Sequence, residues 1–266
     1  MVRNRGTFEG DVQEKAFVTS FNSNKFLPLY NEYISNFPSY NIDEIYMVRV
    51  TTEQFSSLSN QKVKTRSDAY LIHSNDKHLS NILLTYDNYL DENILTENNI
   101  LHSKIDYSGV SIKLSDSKRY QILKLTPNSF KSMFNVSELG AGACLYCMRE
   151  SELAKNAALI EGWLSTQKNM EIYFAEIING MNNFYLHKEI CKKIKSYSEQ
   201  EIRKLIDSSK ELQQKIFNGI HLYEEPYTAY YFFHNNSLDN LTYIPYNITT
   251  GSGRSRGEYT LVLKPK

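Results

Sequence analysis

The chain has 266 residues, enough for one large hydrophobic core or for a core with a smaller companion. Its 30 basic and 30 acidic side chains cancel, which argues against a protein that coats nucleic acid through a broad positive surface. Positive charge confined to one cleft is compatible with that balance. No run of about 18 apolar residues is present, and "MVRNRGTFEGDVQEK" lacks the apolar centre of a secretory leader, so the cytoplasm is the expected compartment. The abundance of Lys, Ile and Asn fits an AT-rich, bacterial coding sequence.

Residues 10–22, "GDVQEKAFVTSFN", place Phe17, Val18 and Phe21 on one helical face, with Glu14 three residues before Phe17. "LPLYNEYISNF" follows as a second helix. "EIYMVRV" (44–50) and "DAYLI" (68–72) are rich in β-branched and aromatic side chains and read as strands. Residues 74–108 are polar and read as irregular, inserted structure. Residues 109–125, "GVSIKLSDSKRYQILKL", read as two strands on either side of a polar turn.

Thr126 and Pro127 then supply an N-cap and a first-turn proline for the helix "NSFKSMF". From 142 to 217 the pattern is mostly helical. Ser198 and Glu201 have capping-box spacing, and Ile202, Leu205, Ile206, Leu212 and Ile216 form an apolar stripe. "YTAYYFF", "LTYIPYNI" and "EYTLVLK" return to strand, with "TTGSGRSRG" between the last two. The expected fold is α/β of the α+β kind, a central mixed β-sheet flanked by helices with a helical insertion or subdomain. It is expected as a single domain, with residues 1–135 as its core, 136–220 as its helical region and 221–266 as terminal strands and loop.

Cys144 and Cys147 form a lone CxxC, with Cys191 far away. No second ligand pair for zinc and no thioredoxin-like context accompany it, so buried helical cysteines are expected. The six histidines are scattered, without HxxxH or a Cys/His cluster.

Two charges sit where charges are costly. Asp68 opens the apolar stretch "SDAYLI", and Lys113 lies within "GVSIKL". Metal-assisted phosphodiester hydrolysis needs such a pair, a carboxylate to hold Mg²⁺ and an ammonium to orient water and offset developing charge. Alternation along "VSIK" puts Ser111 and Lys113 on one face and Ile112 on the other. The plain alternative is a strand-opening aspartate and a lysine that protects a sheet edge.

The order of a glutamate-bearing helix, "KTRSDAYLI" and "GVSIKLSDSKRYQILKL" resembles the PD-(D/E)XK nuclease superfamily, and within it type II restriction endonucleases. The resemblance covers the first half of the chain. It implies a restriction-endonuclease-like fold, Mg²⁺-dependent cleavage of double-stranded DNA, and a homodimer. Carried onto this sequence, it makes Asp68 the metal-binding aspartate, the Ile112 carbonyl a further ligand and Lys113 the catalytic lysine. Ser111 stands where the family pattern has Asp or Glu, and serine brings no second negative charge. Glu14 on the first helix is the expected replacement, ahead of Glu9 and Glu138. The rival is a non-catalytic DNA-binding or structural protein that keeps the fold.

Two basic stretches are candidates for DNA contact. In "TTGSGRSRGEYT", glycines and serines, Ser252 among them, let the backbone approach a phosphate, and Arg254 and Arg256 alternate for base or phosphate contact. Lys62, Lys64 and Arg66 alternate just ahead of Asp68, either as a phosphate clamp or as a solvated strand face.

Overall fold

The computed structural model describes residues 5–51, 65–113, 120–251 and 260–266. The first stretch contains the helices α1 (Arg5–Ser23) and α2 (Pro28–Ser35) and the strand β1 (Ile45–Arg49). The second contains β2 (Ala69–His73), α3 (Leu79–Thr85), α4 (Glu92–Glu97), β3 (Ser103–Lys104) and β4 (Val110–Ile112). The chain continues with β5 (Leu123–Leu125), α5 (Pro127–Phe134), α6 (Ser137–Cys144), α7 (Asn156–Gly162), α8 (Gln167–Tyr173), α9 (Ala175–Ile178) and α10 (Lys188–Ser208). It closes with α11 (Lys210–Gln213) and the strands β6 (Tyr231–His234), β7 (Ser237–Asn240), β8 (Tyr246–Gly251) and β9 (Thr260–Pro265).

These elements fall into two compact units, one from Met1–Lys118 with Phe217–Tyr243 and one from Arg119–Ile216 with Ile244–Lys266. Residues 119–135 thus belong with the helical stretch, and the strands after 221 are divided between the two units.

In the first unit a mixed sheet runs β1-β2-β4-β6-β7, with β3 also on β2. β4 and β6 pair in parallel, Val110 opposite Tyr231, while β1–β2, β2–β4 and β6–β7 are antiparallel. Helix α1 packs on β1 and α2 on β7, so helices flank the sheet. The face expected on α1 is the buried one: Phe17, Val18 and Phe21 are in the core. Phe17 lies 4.3 Å from Phe233 between ring centroids and Phe21 lies 5.0 Å from Tyr30. Each such side chain stabilises the unit by about 1.5–3 kcal/mol through burial.

Both strands read in 109–125 are present, as β4 and β5, but they do not pair with each other: β4 has β2 on one edge and β6 on the other, and β5 pairs with β9 in the other unit. Two expectations are corrected here. Residues 74–108 are not an irregular appendage. They form α3, α4 and β3, and Leu79, Leu90, Ile94, Leu95 and Ile100 join the core of the first unit. Ser198 and Glu201 are not a cap. Cys191, Ile194, Ile202 and Ile206 are all fully buried, so one apolar face runs through Ser198 and keeps α10 continuous.

The second unit carries the antiparallel sheet β5-β9-β8 with helices α5–α11. Thr126 does cap α5, in a reciprocal capping box with Ser129. The apolar stripe holds for Ile202, Ile206 and Ile216, whereas Leu205 is exposed. All three cysteines are buried; Cys144 ends α6 and Cys191 lies in α10, but Cys147 sits in the non-helical segment after α6. Burial pushes the Cys144 and Cys191 thiols up to about 12. Among the described residues, no helix is long and apolar enough to cross a membrane.

Candidate active site

Asp68 is held by its backbone before its side chain acts. Its N–H donates to the Val110 carbonyl at 2.8 Å and its carbonyl accepts the Val50 N–H at 2.9 Å, so it is tied to both neighbouring segments. The approach to β4 is tight because residue 109 is glycine. A Cβ there would lie 1.8 Å from the Thr228 carbonyl oxygen and 2.8 Å from that of Pro226.

The Asp68 carboxylate gathers the β4 motif through one oxygen. Oδ2 accepts from the Ile112 N–H at 2.7 Å, from Lys113 Nζ at 3.1 Å and from Ser111 Oγ at 3.3 Å. Lys113 is anchored in turn by its own N–H, which donates to the Phe233 carbonyl of β6 at 2.9 Å. The Asp68–Lys113 ion pair is 23% and 25% exposed, so it is part-buried yet within reach of solvent. Ser111 and Ile112 are buried beneath it.

Glu14, on α1, lies close enough to Asp68 and Lys113 to feel both charges. The Arg49 guanidinium, at the end of β1, donates to Glu14 Oε2 from Nε at 2.8 Å and reaches the same oxygen from Nη2 at 2.6 Å. Nη2 also donates to Asp11 Oδ1 at 2.7 Å. Asp11 and Glu14 are three residues apart on α1 and therefore share a face. Asn22 locks that helix to β1: its amide donates to the Met47 carbonyl at 2.9 Å and its Oδ1 accepts the Met47 N–H at 2.8 Å.

The electrostatics link the two carboxylates. The Glu14 carboxyl is pushed up from 4.5 to about 7, first by burial and then by the negative charge of Asp68. Arg49 and Lys113 pull it the other way. One cluster thus joins Asp68, Ser111, Ile112, Lys113 and Glu14, carried by α1, the start of β2 and β4.

The remaining candidates are placed differently. Arg66 is not on an open strand face: its Nε and Nη2 are sealed from solvent, its neighbours are Gly219, Tyr223 and Asp68, and burial lowers its pKa. Glu9 is exposed on α1, and Glu138 belongs to the second unit, where it accepts from Ser165 Oγ at 2.9 Å. Lys62, Lys64, Ser252, Arg254 and Arg256 lie outside the described residues. Arg49, Asp11 and Tyr89 were not singled out from the sequence. Arg49 carried a usable signal, since a charge inside "EIYMVRV" is as costly as the one in "SDAYLI".

Chemically, the cluster offers paired hard oxygen donors beside an ammonium and a guanidinium. Among the described residues, no group of three or more His, Cys, Asp or Glu side chains is arranged to hold a metal ion. Any cation here would rest on two carboxylates and main-chain oxygen. No protein-family model matches the chain, and no curated protein matches it either.

Proposed function

We propose that this cluster is the active site of a Mg²⁺-dependent type II deoxyribonuclease with a restriction-endonuclease-like fold, hydrolysing phosphodiester bonds of double-stranded DNA. One observation carries the reading: Asp68 and Glu14 come from separate elements and repel each other across a part-buried site, each tied through one oxygen to a cationic side chain.

The residues fit a hard divalent cation. The three bonds to Asp68 fall on Oδ2 and both Arg49 contacts to Glu14 fall on Oε2, so the second oxygen of each carboxylate takes no part in them. Carboxylate oxygens suit Mg²⁺, and a cation between the two relieves their repulsion. Asp68, Glu14 and the Ile112 carbonyl are the proposed ligands. Bound there, Mg²⁺ supplies Lewis acidity and neutralises phosphate charge.

The chain's own groups do the rest. Lys113 orients the attacking water and faces the charge that builds on the phosphate. Ser111 and the Ile112 N–H hold the Asp68 rotamer, which is the part serine plays where the superfamily pattern has an acid. Water adds to phosphorus as the bond to the 3′ oxygen breaks, which leaves a 5′-phosphate and a 3′-hydroxyl. DNA contacts are assigned to Lys62, Lys64, Ser252, Arg254 and Arg256; Arg66, with Nε and Nη2 sealed from solvent, is assigned none. A homodimer acting on a two-fold symmetric site in the bacterial cytoplasm belongs to the same reading.

The rival, a non-catalytic DNA-binding or structural interaction protein that keeps the fold, is supported by Ser111, which brings no second negative charge where the superfamily pattern has an acid, and by the balanced charge of the chain. Purified protein with mixed-sequence plasmid and Mg²⁺ separates the two. The nuclease gives discrete fragments that disappear with EDTA and with Lys113→Ala. Intact plasmid with the wild type supports the non-catalytic protein, and undiminished cutting by Lys113→Ala removes the lysine from the site.

A further inference from the structure

A carboxylate ligand binds a cation well only when a second partner fixes its orientation, and such partners are often as critical as the ligand. Glu14 has one partner of this kind, and it belongs to another element. We propose that Arg49 is a positioning residue for the cation site, clamping Glu14 so that its carboxylate is presented to Asp68 in a fixed orientation. This rests on the reading that Glu14 and Asp68 share a divalent cation.

The clamp is directional. Nε and Nη2 both address Glu14 Oε2, at 2.8 and 2.6 Å, so the carboxylate is held by one end. A lysine ammonium, a point charge on a flexible stem, lacks the fork that makes this geometry. Arg49 is itself immobilised from several sides. Nη2 also bonds Asp11, its backbone N–H donates to the Leu90 carbonyl at 3.0 Å, and Tyr89 shares a side-chain hydrogen bond with it. Tyr89 in turn donates to Asp91 Oδ2 at 3.2 Å. Asn22 fixes Met47, and with it the strand, to α1 through two bonds. The orientation of Glu14 is therefore set by the sheet and the 89–91 segment as well as by its own helix. At 17% and 20% side-chain exposure, Arg49 and Glu14 are screened far less than a surface pair.

A double-mutant cycle on the full chain, with Mn²⁺ as the probe and binding read by electron paramagnetic resonance, tests this without requiring cleavage. Arg49→Lys and Glu14→Gln should each weaken Mn²⁺ binding by about tenfold or more. The double variant should bind no more weakly than Glu14→Gln alone, because Arg49 acts through Glu14. A merely structural arginine gives penalties that add. Asp11→Asn, which loosens the clamp and leaves Glu14 in place, should show a smaller loss and carries the test if Arg49→Lys does not fold. Additive penalties, or wild-type affinity in both Arg49→Lys and Asp11→Asn, overturn the positioning role while the cation site stands. Absence of Mn²⁺ binding by the wild type overturns the cation site and the positioning role together.

Discussion

Gly109→Ala adds one methyl group at the entrance to β4, and the structure gives it no room. The new Cβ falls 1.8 Å from the Thr228 carbonyl oxygen, 2.8 Å from the Pro226 carbonyl oxygen and 3.0 Å from Ser67 Cβ. The two closest atoms are backbone, so relief requires β4 to part from the 226–228 segment by an ångström or more. That shift pulls on the Gly109 carbonyl, which accepts the Tyr230 and Tyr231 N–H groups at 2.8 and 3.1 Å. It also pulls on the Asp68 N–H bond to Val110 and the Lys113 N–H bond to Phe233. Four strained or broken backbone bonds at about 1 kcal/mol each imply a loss of about 4 kcal/mol. Urea unfolding followed by circular dichroism measures it, as a lower midpoint at unchanged slope. Because Asp68 hangs from Val110, any folded fraction should also lose the DNA cleavage proposed for the cluster. A loss below about 1 kcal/mol would show that β4 has a freedom to shift that this packing denies it.

Two further outcomes follow from charges in the first unit. In EDTA, the raised carboxyl of folded Glu14 binds a proton that the unfolded chain releases near 4.5, so its contribution to stability is full below pH 4.5 and lost as pH rises through about 7. Spread over that interval the contribution is about 3 kcal/mol at most, and Glu14→Gln removes it. The stability of the wild type should thus fall relative to Glu14→Gln between pH 4.5 and 8, and parallel curves in a pH series of denaturation would contradict the shift. Separately, Lys25 is buried with its Nζ donating to the Ile42 and Ile45 carbonyls at 2.9 and 2.6 Å, 4.4 Å from the Tyr46 ring centre. Lys25→Met strands the Ile45 carbonyl, while the Ile42 carbonyl keeps the Ile45 N–H, and should cost about 1–3 kcal/mol in a thermal melt, whereas an exposed lysine would cost nothing measurable.

What was legible in the sequence was whatever a local pattern or a misplaced charge announces. Phe17, Val18 and Phe21 mark the buried face of α1 by spacing alone, and Asp68 and Lys113 stand out because apolar strands rarely carry charge. Glu14 was reachable because its helix was. The parallel pairing of β4 with β6 joins residues 110 and 231, and nothing local in either strand names the other. The two strands in 109–125 are neighbours in sequence yet lie in different sheets, because both edges of β4 are taken by partners from elsewhere in the chain. Ser198 failed for a related reason: a four-residue cap pattern is weak beside an apolar face that continues through it. Residues 74–108 hid two helices because each is too short to display a period. Arg49 obeys the same logic as Asp68, a charge inside an apolar strand.

If Asp68 and Glu14 hold the cation that Lys113 works beside, the Mg²⁺ dependence of plasmid cleavage by the wild type, Asp68→Asn and Glu14→Gln, measured side by side, reports it. The expected outcome is discrete cutting by the wild type, none by Asp68→Asn, and a requirement for about tenfold more Mg²⁺ in Glu14→Gln. Identical Mg²⁺ curves for the wild type and Glu14→Gln, or cleavage that survives Asp68→Asn, would contradict it.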